Sequence, residues 1–334
     1  MERLPVINVS PLVRGDADLA AVGAEIDGAC RDFGFFYVSG HGVPEDLQLR
    51  LEALSHELFA LPEPDKAEIE MARAGRAWRG WFPLEGELTS GRPDRKEGVY
   101  FGAELPPTDP RVVAGTPLHG PNLFPRQIPA LRDTVLAYLH AMESLAASIL
   151  RGMAVGLGLD GSWFERHLTG DPLILFRIFR YPPAPAPPDD GWGVAEHTDY
   201  GLLTVLRQDE SGGLQVHAPS GWIEAPPLPG TFVCNLGDML ERMTGGRYRS
   251  TPHRVRNTGT TDRLSFPFFF DPGWDAEVVP VPLAGESATE ARARWDGEDV
   301  FTFDGTYGEY LLGKVGKVFP DLREQVLEPG QPGV

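Results

Sequence analysis

Between residues 173 and 270 the chain breaks into eight short β-rich runs, at 173–181, 193–197, 202–208, 214–218, 222–225, 231–236, 248–256 and 263–270. Turn-forming Pro, Gly, Asp and Ser residues separate them, including a Pro-rich tract from Pro182 to Pro188. Eight short strands at this spacing are the signature of an all-β sandwich, a jelly roll or a barrel.

The first half has a different texture. Leu4 to Val9 alternates as a short strand, and Asp16 or Asp18 can cap a helix running to about Asp32, with Leu19, Val22, Ile26 and Ala29 on one face. Phe35-Phe36-Tyr37-Val38 is a buried strand, and Pro44 opens a helix to about Leu61. Residues 62–128 are rich in Gly and Pro and hold only short elements, Pro129 starts the longest helix, to about Val155, and a short one follows at Ser162 to His167. A last helix is expected from Thr306 to about Val318. The expectation is a mixed α and β protein with a helical or mixed region at 1–170, a β unit at 171–275 and a C-terminal extension with a helix at 276–334. All three should share one core.

Charge narrows the partners. Thirty Lys and Arg stand against 48 Asp and Glu, a net charge of −18, which supplies no basic face for nucleic acid or an anionic membrane. No apolar run approaches the ~18 residues of a membrane span, and no secretory leader is visible, so a cytoplasmic protein acting on a small molecule is expected. Cys30 and Cys234 allow one disulfide on paper, but a pair of reduced, buried thiols is the better expectation. Oligomeric state leaves no trace in the sequence.

Of eight histidines, His41, His56, His119, His140, His167 and His217 sit in helices, loops or at a strand end with nothing around them that suggests chemistry. His197-Thr198-Asp199 is different, because positions i and i+2 of an extended chain project to the same side. His253, 54 residues later, would come from another strand of the same unit. Two neutral imidazoles and one carboxylate on one face suit a non-haem Fe(II) that keeps its opposite face open, although the bare pattern also occurs by chance and in zinc sites. Arg263-Leu264-Ser265 is a second i, i+2 pair. A guanidinium flanked by Leu264, Phe266 and Phe268 should be buried, and a buried charge requires an anionic partner, in the protein or in a ligand.

These motifs occur in one order with His197-Thr198-Asp199-Tyr200-Gly201, Gly213-Leu214-Gln215-Val216, Asn235-Leu236-Gly237-Asp238, Tyr248-Arg249-Ser250 and His253-Arg254-Val255. Ahead of them stand Gly34-Phe35-Phe36-Tyr37-Val38, Arg79-Gly80-Trp81 and Asp94-Arg95-Lys96-Glu97. From about residue 4 to 320 the chain resembles the isopenicillin N synthase-like branch of the Fe(II)/2-oxoglutarate-dependent dioxygenases. The resemblance implies a double-stranded β-helix, or jelly roll, with flanking helices mainly from the N-terminal half.

It also implies Fe(II) held by His197, Asp199 and His253, with 2-oxoglutarate as cosubstrate and O2 as oxidant. Arg263 and Ser265 would bind the distal carboxylate of 2-oxoglutarate, with Tyr181 reaching the same group. The implied reaction oxidises an unactivated C–H bond, by hydroxylation in the ordinary case and by desaturation or cyclisation in known variations, releasing succinate and CO2. Phe269 shares parity with Arg263 and Ser265 and should face the substrate, with Tyr200, Arg79, Trp81 and Phe82 as weaker candidates. Family members that do not use 2-oxoglutarate keep an Arg-x-Ser for a substrate carboxylate, so such an iron oxidase is the alternative; a non-catalytic metal-binding sensor is the remote one. Gly156-Leu157-Gly158-Leu159-Asp160-Gly161 matches a dinucleotide-loop pattern, but it follows a long helix and should serve as a helix end.

Overall fold

The protein is described here by a computed structural model covering residues 2–16, 18–183, 191–283 and 300–319. Fourteen strands occur among those residues. From the first half come β1 (Val6–Asn8), β2 (Phe35–Ser39), β3 (Gly80–Phe82), β4 (Leu88–Thr89), β5 (Arg92–Pro93) and β6 (Glu97–Gly102). The second half supplies β7 (Leu173–Tyr181), β8 (Val194–His197), β9 (Leu203–Gln208), β10 (Leu214–Ala218), β11 (Gly221–Glu224), β12 (Thr231–Leu236), β13 (His253–Val255) and β14 (Arg263–Asp271). The eight expected β-rich runs are therefore all strands. The widest departure is at 248–256, where only the three positions of β13 pair.

Eight strands form one large sheet in the order β1-β2-β12-β9-β14-β7-β6-β3, and four form a second, β11-β10-β13-β8. Every pairing within the two is antiparallel except β1 with β2. The two sheets make the jelly-roll core, with the cavity between them. The first half contributes more sheet than its sequence suggests. Strands β3 and β6 fall in the Gly- and Pro-rich stretch at 62–128, and β6 runs fully buried along β7. Six residues carrying Gly98 and Gly102 give a weak β signal by themselves; the neighbouring strand and its ladder of hydrogen bonds supply the rest.

The helices are α1 (Ser10–Arg14), α2 (Ala20–Asp32), α3 (Glu45–Ala60), α4 (Glu63–Lys66), α5 (Pro110–Val113), α6 (Ala130–Gly156), α7 (Asp238–Met243) and α8 (Tyr307–Val318). Helix α6 packs on the large sheet against β9 and β14, whereas the last helix lines the cavity. At the start of α2, Asp18 accepts a hydrogen bond from the Ala20 backbone at 3.1 Å. The expected short helix at 162–167 appears as a π-helical turn over Glu165–Thr169. Helix α6 packs against α1, α2 and α3. It ends where Gly158 takes φ +76°, so the glycine-rich match there is a helix terminus, as its position after a helix implies.

Gly245 and Gly246 also take positive φ, at 61° and 78°, in the turn after α7. Cys30 and Cys234 are buried free thiols. The Pro-rich tract beyond Pro183, and residues 284–299 and 320–334 of the expected C-terminal extension, lie outside the described residues. No helix among the described residues is long and apolar enough to cross a membrane.

Candidate active site

Antiparallel pairing sets His253 of β13 directly opposite His197 of β8, with ring centroids 4.2 Å apart. Asp199 follows two residues after β8, in a loop laid across the start of α7. The backbone N–H groups of Asp238 and Met239 donate to the Asp199 and Tyr200 carbonyls at 2.8 and 3.1 Å. That approach explains two glycines of the motif. A Cβ on Gly237 would collide with the Gly201 carbonyl oxygen, and one on Gly201 would collide with the Asp271 carboxylate.

His197, Asp199 and His253 each offer one ligand atom within 4.8 Å of the others. Each imidazole commits Nδ1 to a backbone carbonyl, His197 to Ala195 at 2.8 Å and His253 to Thr251 at 3.2 Å. This leaves each Nε2 lone pair free and fixes the ring. Asp199 is oriented the same way. Its Oδ2 accepts from Thr204 Oγ1 at 2.5 Å and from Asn235 Nδ2 at 2.6 Å, while Oδ1 lies 3.8 Å from both Nε2 atoms. Burial works against the Asp199 charge, yet the two imidazoles and the two hydrogen bonds outweigh it and hold the carboxyl below its ordinary range. Burial, aided by His253, pushes His197 down to about 3, so its imidazole is neutral. Two imidazole nitrogens and one carboxylate oxygen, each braced from behind, fit a divalent iron.

The three residues open onto a cavity of about 490 Å³. At one end β14 and β7 pair Arg263 directly with Tyr181. Arg263 is 0% exposed. Its Nε donates to the Gly212 carbonyl at 2.5 Å and its Nη2 to Gln208 at 3.3 Å, the Tyr181 ring lies 4.7 Å away, and Nη1 has no partner. No carboxylate among the described residues pairs with it. The Tyr181 hydroxyl stands 3.2 Å from Ser265 Oγ, which brings the three expected clamp residues together. A buried guanidinium with a spare donor and no counter-ion fits the distal carboxylate of 2-oxoglutarate.

Farther along, Phe269 and Tyr200 line the same cavity. Arg79, Trp81 and Phe82 do not, which corrects the expectation that they face the substrate. Arg79 is buried, its Nη2 and Nη1 donating to the Leu118 and Phe101 carbonyls at 2.8 and 3.5 Å while Nε has no partner. Trp81 turns to the other face of the sheet, where Nε1 meets Glu97 at 2.9 Å. Phe82 sits behind the wall, edge-on to Tyr100, Phe179 and Phe319.

Charged wall residues with no expected role take that place. Glu87 accepts from the Tyr100 hydroxyl at 2.6 Å and lies 3.1 Å from Lys96 Nζ and 3.7 Å from Arg177; Lys96 also pairs with Asp94. Burial opposes the Glu87 charge, but Lys96, Arg177 and Tyr100 hold it below the usual carboxylate range. One sign was available in the sequence: Arg177 interrupts an apolar strand at the parity of Tyr181.

Comparison with known proteins agrees with this geometry. Residues 4–127 match the non-haem dioxygenase N-terminal family model, described from morphine synthesis, and residues 171–272 match the 2OG-Fe(II) oxygenase superfamily. The chain is 46% identical to a probable iron/ascorbate oxidoreductase of Dictyostelium discoideum, over 98% of each chain. It is 36% identical to a 1-aminocyclopropane-1-carboxylate oxidase of Dictyostelium mucoroides, over 96% of each. The crystal structure of a full-length Neurospora crassa protein in complex with alpha-ketoglutarate (2-oxoglutarate) and 5-formyluracil superposes with a TM-score of 0.75 at 26% identity, covering 93% of this chain and 95% of that one. The chain belongs to the 2OG-Fe(II) oxygenase superfamily, in its isopenicillin N synthase-like branch, and is an oxidoreductase that uses Fe(II), 2-oxoglutarate and O2.

Proposed function

We propose that this enzyme hydroxylates an unactivated C–H bond of a small molecule, with iron held by His197, Asp199 and His253, and 2-oxoglutarate clamped by Arg263, Ser265 and Tyr181. When bound, iron would bring O2, the oxidant, together with 2-oxoglutarate, which supplies two of the electrons: one oxygen atom would go into succinate as the keto acid loses CO2, and the other into the C–H bond of the substrate. The chain contributes placement. Thr204 and Asn235 keep Asp199 Oδ1 turned toward the two Nε2 atoms. Arg263, with Ser265 and Tyr181 beside it, fixes the cosubstrate's far end and so the approach of its keto acid to the metal. Phe269 and Tyr200 form a wall that orients substrate and keeps water out.

The observation that carries this reading is Arg263: fully buried, with Nη1 unpartnered and no carboxylate paired with it among the described residues. Arg263→Gln removes a charge-assisted, two-pronged contact, so the apparent KM for 2-oxoglutarate should rise at least ~10-fold while iron binding persists. Steady-state succinate formation and an anaerobic iron titration measure the two. An unchanged 2-oxoglutarate dependence, with impaired use of the primary substrate, would hand Arg263 to the substrate instead. Product mass then separates hydroxylation, which adds one oxygen atom, from desaturation or cyclisation, which removes two hydrogens.

A further inference from the structure

The cavity holds a second guanidinium. Arg177 lies on β7 four residues from Tyr181, so at ~3.3 Å per residue it stands about 13 Å of strand away from the level of Arg263. Its guanidinium is sandwiched between the rings of Tyr100 and Phe269, 4.2 and 4.7 Å from their centroids. No side-chain hydrogen bond to it exists among the described residues, and Nε is buried without a partner. Glu87 at 3.7 Å is its one ion pair among those residues, and that carboxylate already has Lys96 at 3.1 Å and the Tyr100 hydroxyl at 2.6 Å. A structural arginine at such a depth normally spends its donors on the protein. Arg177 spends none, and it faces the cavity beside Asp199 and Tyr200.

The charge of the wall points the same way. Lys96, Arg177, Arg263, Lys314 and Lys317 line the cavity against four carboxylates, in a chain that is strongly acidic overall. The carboxylates are also engaged: Asp199 by Thr204 and Asn235, Asp271 by Tyr307 and Leu202, Asp238 by Ser250. We propose that Arg177 anchors a carboxylate of the primary substrate on the metal side of the cavity, so that the enzyme selects small carboxylic acids. The proposal rests on the functional reading above and names the substrate class of that site. Two π faces hold the guanidinium plane in place, which leaves its N–H edge for the acid.

The test uses the anaerobic Fe(II)–2-oxoglutarate holoenzyme and four acids, L-arginine, L-phenylalanine, phenylacetate and hexanoate, each beside its carboxamide. Dissociation constants are read calorimetrically, and succinate formation is followed after oxygen is admitted. At least one acid should bind ~10-fold or more tightly than its amide, and Arg177→Met should erase that preference. Arg177→Lys, which keeps the charge but loses the fork, should retain part of it. The dissociation constant of 2-oxoglutarate should stay within about twofold in both variants, because its carboxylates have other partners.

A panel in which no acid outperforms its amide overturns the proposal, as does an acid preference that survives in both variants. A tenfold loss of 2-oxoglutarate affinity with acid binding unchanged also overturns it, assigning Arg177 to the cosubstrate. Wild-type protein that binds acids through Arg177 yet forms no iron-dependent succinate would leave the anchor standing and remove the hydroxylation reading.

Discussion

Thr204 and Asn235 show how much of a metal site lies behind its ligands. Both donate to the Asp199 oxygen turned away from the two imidazoles, and so decide which oxygen faces the site. Asn235→Ala leaves a buried carboxylate short of one charge-assisted bond and held by Thr204. Iron affinity should fall about 10- to 100-fold, measured against a competing chelator, with the far-UV spectrum unchanged. The proposed ligands stood out in the sequence as a His-x-Asp with a later His, although Asp199 lies in the loop after β8 and not on the strand. Their supports did not, since a Thr or an Asn in a strand carries no signal until the fold shows what it touches. Arg79 makes the converse point: an arginine in a motif drew attention, and the fold uses it to satisfy loop carbonyls.

Asp271 at the end of β14 ties three elements together. Its two oxygens accept from Tyr307 Oη of α8 at 2.7 Å and from the Leu202 backbone, just beyond the metal loop, at 3.0 Å. Burial raises its carboxyl to about 7, against roughly 3.9 in an unfolded chain. Between those values the folded protein holds a proton that the unfolded chain has released. The stability from this group is therefore full below about pH 4 and is lost as pH rises through 7. Asp271→Asn keeps a similar shape without the titration. Relative to wild type, the iron-free variant should gain stability from pH 4 to 8, by at most about 4 kcal/mol, in urea unfolding followed across that range. The strand and α8 were both legible from their patterns, but the latch needs residues 69 and 105 positions apart to meet across two packed elements.

In the whole molecule, the first half completes the large sheet. Strands β1 and β2 extend it beyond β12, and β6 and β3 extend it beyond β7. Cutting near residue 170 would expose two long backbone edges as well as the face covered by α6. The full chain should therefore unfold in one step, with far-UV circular dichroism and tryptophan fluorescence tracing the same urea transition. Non-coincident curves would divide it at that point into two units.

Local pattern determined the eight core strands, the main helices and the burial of Arg263. Each depends on periodicity or on the cost of placing a charge among apolar neighbours, and both are properties of a short stretch of chain. Tertiary structure alone decided that β3 and β6 join the sheet, that Trp81 turns away from the cavity while Phe82 packs behind its wall, and that Arg177 faces it without a hydrogen bond. A side chain's face and its partners are set by register against strands that are distant in sequence. No window along the chain contains that register.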